Sequence, residues 1–418
     1  EKCPAGVPVT DFIAKSRTGD LEGAYQLIRT ASMMPEFCSR VCPQELQCQS
    51  NCTRSIRSDA VGIGKLERYV VEKHYESGTG EKSAASNEKK VAVIGSGPSG
   101  LSACQRLLDK GYKVTVYERA DRVGGLLEYG IPNMKLEKGI VARKADSLKA
   151  QGAEFKTGIN VGVDVTAEEL DRDFDAVCFA LGSRNARNLA LENAAGVAGI
   201  TFAVDFLTEN TKAYLGGTKA ETAKGKKVVI IGGGDTGNDC VGTALRQGAE
   251  SILQIEMLPK VRGHKYVYER PEYKEAETKH DFSQEECAAK FGDPHIYQTT
   301  VKAVHAGDEA KVHAITTVEL KAVYDEHFRL TMEEIPGTDK EVPCDLLIIA
   351  AGFSGAESYV PEKFSLKMGE RNTIVTDGYN AGGKYFACGD CRTGQSLVVK
   401  AMVEGRNCAD AIDEFLTK

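Results

Sequence analysis

The sequence predicts an α/β protein in which an N-terminal helical domain precedes two Rossmann-like domains, the second inserted into the first. Up to residue 76, apolar residues recur at helical spacing, as in Asp20–Ile28 and Gly64–Val71. Farther along, two short apolar runs each end in a glycine-rich turn that opens a helical pattern, at Val91–Gly100 and Val228–Gly237. A strand, a glycine turn and a helix in that order are typical of a dinucleotide-binding unit.

The positions of the predicted elements set the expected domain boundaries. We expect residues 1–88 to form the helical domain and its linker, and residues 89–200 and 345–418 to form the first Rossmann-like domain. Residues 201–344 would be the inserted second domain. Predicted strands are Val114–Glu118, Asp175–Ala180, Ser251–Glu256, Val312–Leu320, Leu346–Ala350 and Tyr385–Asp390, and Leu397–Leu416 is a predicted helix.

The composition argues against several classes of partner. The chain has 418 residues, a formal net charge of -7 and a pI near 5.7, unlike the basic surface of a nucleic-acid-binding protein. It contains no run of about 18 apolar residues, so we expect neither a spanning helix nor a membrane partner. The start does not resemble a signal peptide, and we expect a cytoplasmic protein. Because the first residue is Glu rather than Met, we expect further sequence upstream.

The first glycine fingerprint has the features of a pyrophosphate site. Gly95 permits the tight turn, Gly97 lets the backbone approach the phosphates, and Gly100 allows close helix packing. Glu118 ends the next strand, where a carboxylate can accept hydrogen bonds from a ribose; the alternative is a surface acid. The binding residues expected at this site are Gly95, Gly97, Pro98, Ser99, Gly100, Glu118, Arg119, Gly125, Leu126, Ala180, Gly182, Gly389, Asp390, Gln395, Ser396 and Leu397.

The second fingerprint predicts a second dinucleotide site. Glu256 stands where Glu118 stands in the first, and a carboxylate there favours the 2′-hydroxyl of NADH over the 2′-phosphate of NADPH. Lys260 and Arg262 follow only later, so NADH is favoured while NADPH stays open. Two dinucleotides in one chain indicate transfer of a hydride from NADH or NADPH to FAD. The expected binding residues are Gly232, Gly234, Asp235, Thr236, Gly237 and Glu256.

The 13 cysteines fall into two groups. In an acidic chain without an export signal, thiols stay reduced. From Cys104 onward, most cysteines lie singly on apolar runs, and we expect them to be buried packing residues. The Cys388-x-x-Cys391 pair is either a redox dithiol or packing beside a flavin, and we expect packing.

The N-terminal group has the pattern C-x₃-C-x₅-C-x₃-C, from Cys38 to Cys52. Disulfides conflict with a reducing compartment, and structural zinc modules typically use C-x₂-C spacing. An iron–sulfur cluster suits a chain that also holds a flavin, and the proline after Cys42 is typical of ferredoxin binding runs. We therefore expect an iron–sulfur centre here, as the exit for single electrons.

Several stretches carry a resemblance to a known family. They are Pro35–Pro43, Val91–Gly100, Glu118–Leu126, Tyr129–Lys138, Ile231–Thr243 and Gly389–Val399. By these stretches the chain resembles the small (beta) subunit of glutamate synthase. The wider group includes the large subunit of the bifurcating NADH-ferredoxin:NADP transhydrogenase and the N-terminal half of dihydropyrimidine dehydrogenase. One departure is Lys265–Tyr273, where the longer glutamate synthases have a Trp/Pro-rich stretch.

The resemblance implies two [4Fe–4S] clusters in the N-terminal domain. Cys3, Cys42 and Cys48 would hold one, with Glu67 as the fourth ligand, and Cys52 would serve the other. The remaining ligands of that other cluster would lie upstream of Glu1, so either the sequence begins late or one cluster forms. Cys38 matches a position that is cysteine in some members, as a spare ligand or for packing.

The resemblance also implies the function. Electrons from NAD(P)H would pass through FAD to the iron–sulfur centres and on to a large FMN-containing subunit that makes glutamate from glutamine and 2-oxoglutarate. No catalytic acid or base is expected, because the cofactors carry the chemistry. The alternatives are a subunit of a bifurcating transhydrogenase with another electron-accepting flavoprotein subunit, and a non-catalytic assembly subunit.

Overall fold

The computed structural model describes residues 3–80, 86–260, 281–325 and 330–418. The stretch Lys265–Tyr273 and Arg262 lie outside the described residues. The chain divides into two compact units. Unit 1 comprises Glu1–Glu128, Asn133–Asn185 and Phe353–Lys418, and unit 2 comprises Tyr129–Pro132 and Ala186–Gly352. Unit 2 is therefore an insertion into unit 1, which confirms the predicted α/β architecture.

The N-terminal part of unit 1 is helical, as the apolar spacing predicted. Its core contains the fully buried side chains of Phe12, Tyr25, Ile28 and Val70. Short 3₁₀ turns at Gln44–Leu46, Gln49–Asn51 and Thr53–Ile56 connect the last two helices. The helices are α1 (Val9–Arg17), α2 (Leu21–Arg29), α3 (Pro35–Val41) and α4 (Ile63–Glu76).

The chain then alternates between strands and helices. The first strand lies between the second and the fourth, and all the pairings among these strands are parallel. Parallel neighbours require crossover connections, which the intervening helices supply. The elements are β1 (Lys90–Ile94), α5 (Pro98–Asp109), β2 (Lys113–Glu118), α6 (Leu126–Tyr129), α7 (Lys138–Ala150), β3 (Glu154–Thr157), α8 (Ala167–Asp173) and β4 (Ala176–Phe179).

Unit 2 contains a parallel sheet and an antiparallel sheet. Its elements are β5 (Ile200–Phe202), α9 (Ala203–Leu215), β6 (Lys227–Ile231), α10 (Asp235–Gln247), β7 (Ser251–Ile255), α11 (Phe282–Phe291), β8 (His295–Ile296), β9 (Thr299–Ala306), β10 (Val312–Tyr324), β11 (Leu330–Glu334), β12 (Lys340–Pro343) and β13 (Leu346–Ile349). The parallel sheet has the order β5-β13-β6-β7-β8. In the antiparallel sheet, β10 pairs with β9, β11 and β12.

The chain returns to unit 1 for its last elements. They are α12 (Tyr359–Lys363), β14 (Asn380–Gly382), β15 (Tyr385–Ala387), α13 (Asp390–Thr393) and α14 (Val398–Leu416). The completed six-stranded sheet has the order β14-β15-β4-β1-β2-β3. Of the described helices, none combines the length and the apolar character needed to cross a bilayer.

Both predicted boundaries of the inserted domain need correction. The strand expected to begin the second part of the first Rossmann-like domain, β13, belongs to unit 2, where it pairs with β5 and β6. The divisions fall after Asn185 and Gly352 rather than after residues 200 and 344. Because all four residues of β13 are buried, the strand shows no alternation that would assign it to either sheet.

Candidate functional site

A cavity of about 1080 Å³ lies at the carboxyl ends of the strands of the six-stranded sheet. In parallel α/β sheets this edge is where ligands bind. Of the residues predicted for the first site, those that line the cavity are Gly95, Gly97, Pro98, Ser99, Glu118, Arg119, Gly125, Leu126, Ala180, Gly182, Asp390 and Ser396. The others, Gly100, Gly389, Gln395 and Leu397, do not line it but directly adjoin residues that do.

The glycines of the first loop are required by close backbone approaches. Gly95 has φ +103°, and a Cβ on Gly100 would overlap the carbonyl oxygen of Gly95 and lie 3.0 Å from its carbon. A Cβ on Gly97 would meet no described protein atom within 4 Å, because it faces the open cavity. Gly125 has φ +54°, and its Cβ would lie 2.9 Å from the Gly97 Cα. Backbone alone therefore bounds a space in which phosphates can approach closely.

The Glu118 carboxylate is built into this loop. It is 5% exposed, and its Oε2 accepts from the Ser96 N–H at 3.0 Å and the Ser96 hydroxyl at 2.5 Å. Its Oε1 accepts from the Ala120 N–H at 2.8 Å, and the Ser96 Oγ accepts from the Gly124 N–H at 3.0 Å. The surface-acid alternative for Glu118 therefore does not hold. The sequence did not single out Ser96, because it occupies a variable position of the first glycine fingerprint, between Gly95 and Gly97.

Four polar side chains that the sequence did not reveal as a group line one side of the same cavity and are linked by hydrogen bonds; we call them the polar clasp. Arg119 donates to Glu357 at 2.5 Å and to the Tyr359 hydroxyl at 3.4 Å, and Tyr359 donates to the Asn160 Oδ1 at 2.6 Å. All four residues line the cavity. They are far apart in the chain, so no local pattern could have grouped them.

Asp390 lines another part of the cavity. Burial raises the pKa of its carboxyl to about 6, and the Ser396 hydroxyl donates to it at 3.0 Å. The preceding Gly389 has φ +71°, and a Cβ there would lie 2.6 Å from the Ser99 Cβ. Gln395 points elsewhere, since its Oε1 accepts from the Phe353 N–H at 2.6 Å.

The second glycine loop repeats this arrangement in unit 2. Gly232 has φ +124°, and a Cβ on Gly237 would overlap the Gly232 carbonyl oxygen. Gly234 caps α10, whose first residues are Asp235 and Thr236. The Glu256 Oε2 accepts from the Gly233 N–H and its Oε1 from the Leu258 N–H, both at 2.9 Å. The predicted residues are thus brought together around one helix N-terminus.

A second cavity, of about 330 Å³, lies in the N-terminal part of unit 1. Cys38 lies on α3, and Cys42 is the C-cap of that helix, with its N–H donating to the Cys38 carbonyl at 3.2 Å. A Cβ on Gly64 would overlap the Gln44 side chain, so this glycine lets α4 approach the cysteine-bearing turns. The predicted residues that line the cavity are Cys3, Cys38, Cys42, Cys48 and Glu67; Ser32, Gln44, Gln47 and Val399 line it as well and were not predicted.

Glu67 is the residue that indicates a metal. Its side chain is buried, and among the described residues its Oε1 has no hydrogen-bond partner. Burial, and then the charge of Glu36, raises the pKa of Glu67 to about 8. Burial and the charge of Glu67 raise the pKa of Cys48 to about 11. A cationic metal centre in this cavity would favour the charged forms of both groups and lower their pKa values. A buried carboxylate oxygen without a hydrogen-bond partner, together with thiols in the same cavity, therefore fits an iron–sulfur centre.

Cys52 and Cys38 differ from the other predicted ligands. Cys52 is not part of the cavity's described lining; its Sγ accepts from the Val61 N–H at 3.4 Å, which lowers the pKa of its thiol. Cys38 lines the cavity but is buried, and the neighbouring Cys42 thiol, together with burial, raises the pKa of its thiol.

The Cys388-x-x-Cys391 pair does not form a thiol–thiol contact. The Cys391 Sγ donates to the carbonyls of Cys388 at 3.1 Å and Phe179 at 3.3 Å. The Cys388 Sγ instead lies 3.6 Å from that of Cys178, which lies 3.6 Å from that of Cys408. All four cysteines are fully buried.

Solved structures share this fold. FprA from Mycobacterium tuberculosis matches with a TM-score of 0.63 and 17% identity, over 79% of this chain and 85% of that one. The T. acidophilum thioredoxin reductase matches with a TM-score of 0.57 and 19% identity, over 79% of this chain and 100% of that one. At these identities the likeness shows the fold alone.

Relatives of known name extend over nearly the whole chain. Residues 1–79 match the family described as dihydropyrimidine dehydrogenase domain II, 4Fe-4S cluster, and residues 89–405 match the pyridine nucleotide-disulphide oxidoreductases. The glutamate synthase [NADPH] small chain of Bacillus subtilis is 40% identical, over 94% of this chain and 81% of that one. The glutamate synthase [NADH] of Saccharomyces cerevisiae is 38% identical, over 98% of this chain but 20% of that one. The chain therefore belongs to the glutamate synthase small chains, within the pyridine nucleotide-disulphide oxidoreductases.

Proposed function

We propose that the chain oxidises NADH with FAD and passes the electrons through an iron–sulfur centre to a large FMN-containing subunit, in the cytoplasm. That partner makes glutamate from glutamine and 2-oxoglutarate. When bound, FAD supplies the conversion between two-electron exchange with a nicotinamide and one-electron exchange with iron–sulfur centres. The residues of this chain bind and orient the cofactors.

The observation that carries the proposal is the position of the first turn of α14. Val398 lines the glycine-loop cavity, and its neighbour Val399 lines the cysteine cavity. The two candidate cofactor sites are therefore separated by about the width of one helix. Such a short separation suits direct transfer of single electrons from one site to the other.

Glu118 and the glycines of the first loop are the proposed FAD ligands. A carboxylate has about four lone-pair sites, and three of those on Glu118 are occupied by Ser96 and Ala120. One site remains for a ribose hydroxyl. Gly97 and Gly125 leave the backbone open to the pyrophosphate, and Asp390 and Ser396 offer polar contacts elsewhere in the cavity.

Glu256 favours NADH over NADPH. Two of its lone-pair sites are occupied by backbone N–H groups, which leaves about two for the ribose hydroxyls. The 2′-phosphate of NADPH would instead place negative charge against this carboxylate. Lys260, the nearest described basic residue after the strand, lies 3.8 Å from Asp293 in an ion pair.

Cys3, Cys42, Cys48 and Glu67 are the proposed ligands of one [4Fe–4S] cluster, because they share one cavity. Cys52 is assigned to a second cluster. The large partner is proposed from the yeast relative, in which the matched region is 20% of a single longer chain. We infer that the rest of the yeast chain has its counterpart in a separate large subunit, and that this chain binds that subunit.

The test compares Cys48→Ser with Cys287→Ser, a matched control at a buried cysteine of unit 2. Cys48→Ser should lose iron, the brown absorbance and electron transfer to the partner, while NADH still bleaches the flavin. Cys287→Ser should keep all of these properties. Full iron content in Cys48→Ser would show that the cavity is not the cluster site. Loss of flavin reduction as well would show that the electron path is not modular.

A further inference from the structure

Three buried amide side chains lie behind the second glycine loop; we call them the amide cluster. Gln254 lies on β7, Asn238 on α10 and Gln284 on α11, and all three are fully buried. The Gln254 Nε2 donates to the Gly232 carbonyl at 2.9 Å and to the Asn238 Oδ1 at 3.1 Å. The Gln284 Nε2 donates to the same Asn238 oxygen and, at 3.1 Å, to the Gln254 Oε1. The amide cluster therefore links α11 to the glycine loop.

One backbone group fixes the orientation of both glutamine amides. The Asp281 N–H donates to the Gln284 Oε1 at 2.9 Å in the capping box of α11, so the Gln284 Nε2 faces the cluster. There it donates to the Gln254 Oε1, and Gln254 in turn directs its own Nε2 at the Gly232 carbonyl. Because an amide donates at one end and accepts at the other, reversing either glutamine would bring two donors or two acceptors together.

The Gly232 carbonyl and the Gly233 N–H belong to one peptide group, and the protein holds this group at both ends. Gln254 donates to the carbonyl at 2.9 Å, and the Glu256 Oε2 accepts from the N–H at 2.9 Å. Because a peptide group is planar, rotation of the carbonyl would also turn the N–H that holds Glu256. The peptide thus connects the amide cluster to the carboxylate proposed to receive the ribose of NADH.

The first glycine loop is built without such amides. Leu101 corresponds to Asn238 by its position directly after the third glycine, and Val116 corresponds to Gln254 by its register in the sheet. Both are buried hydrocarbon side chains that can donate no hydrogen bond. A glycine loop of this type therefore forms on apolar packing alone, and packing does not explain the amides of the second loop.

We propose that the amide cluster determines nucleotide specificity. It fixes the peptide between Gly232 and Gly233 and, through that peptide, the Glu256 carboxylate that favours the 2′-hydroxyl of NADH over the 2′-phosphate of NADPH. The members of the cluster are positioning residues, because they act through the loop and through Glu256. The inference rests on the proposed function, which it deepens at the nicotinamide site.

The experiment measures kcat and KM of the purified chain with NADH and with NADPH, using a dye as the electron acceptor. Gln254→Leu keeps the size of the side chain and removes the donor. Its KM for NADH should rise about tenfold at nearly unchanged kcat, and the ratio of kcat/KM for NADH to that for NADPH should fall by a similar factor. Gln284→Leu should change both quantities in the same direction but less, because Gln284 acts on the loop through Gln254.

Gln247→Leu is the matched control on α10. The Gln247 Oε1 accepts from the Ala223 N–H at 2.9 Å, and its Nε2 donates to the Asn210 Oδ1 at 3.1 Å. This variant therefore also loses amide hydrogen bonds in unit 2, but none to the glycine loop. Its KM for NADH and its nucleotide preference should stay at the wild-type values.

Flavin content and the urea midpoint show whether each variant is folded. A folded Gln254→Leu protein with the wild-type KM and nucleotide preference would overturn the proposal. An equal change in Gln247→Leu would also overturn it, because the effect would then come from a general loss of stability. If Gln254→Leu does not fold, Gln284→Leu decides by the same criteria. A wild-type flavin that neither nucleotide reduces would instead refute the proposed function, so the two failures are distinguishable.

Discussion

Gly405→Ala should destabilise unit 1 although it adds a single methyl group. Gly405 lies in the middle of α14, where the helix crosses α5. A Cβ there would overlap the carbonyl oxygen of Ser99 and lie 2.8 Å from its carbon and 3.0 Å from the Ala103 nitrogen. These are backbone atoms, which cannot rotate away as the end of a side chain would. Overpacking of this kind costs about 3 kcal/mol, and the better helix propensity of Ala offsets about 1 kcal/mol.

The net expectation for Gly405→Ala is about 2 kcal/mol of lost stability, and FAD affinity should fall as well, because Ser99 lines the glycine-loop cavity that we propose for FAD. Urea unfolding followed by circular dichroism and flavin release measures the midpoint. Gly139→Ala is the matched control: it lies in α7, and its Cβ would meet no described protein atom within 4 Å. This variant should gain about 0.5 kcal/mol. If the urea midpoint of Gly405→Ala equals or exceeds that of the wild type, α5 and α14 have room for the added methyl group and the expectation is wrong.

Two further expectations concern carboxylates. Steady-state kinetics should show a kcat/KM preference for NADH in the wild type, and Glu256→Arg should move that preference toward NADPH; a tenfold wild-type preference for NADPH, about 1.4 kcal/mol, would refute the role given to Glu256. The hydrogen bond from Arg143 and that from Arg40 outweigh the opposing effect of burial and lower the pKa of Glu72 to about 2. This folded-state pKa lies below the unfolded value, so the stabilisation is present above about pH 4.5 and is lost as pH falls toward 2. After allowance for screening, the free energy of unfolding of Glu72→Gln should therefore be about 1 kcal/mol below that of the wild type at pH 7. This difference between variant and wild type should shrink between pH 5 and pH 3. A difference that stays constant over that range would contradict the role given to Glu72.

Local patterns predicted most of the fold. The apolar runs before Gly95 and Gly232 became β1 and β6, and the helical spacing before residue 76 became α1 to α4. The sequence could not assign β13 to its sheet, because a four-residue buried strand looks the same in either one. The clasp of Arg119, Glu357, Tyr359 and Asn160 was also beyond prediction, since only tertiary folding brings those side chains together.

The two glycine loops differ in a way that matches the different fates of their proposed cofactors. Each loop holds a carboxylate at the end of the following strand, yet the middle position of the first loop is Ser96 and that of the second is Gly233. The Ser96 hydroxyl joins Glu118 to the Gly124 N–H, so that hydrogen bonds within the protein hold three segments around the first loop together. Gly233 offers Glu256 one backbone N–H and no side chain. A preorganised loop loses less conformational entropy on binding and retains its ligand more tightly. Retention suits a flavin that stays through many turnovers, whereas a nicotinamide nucleotide has to leave after each one.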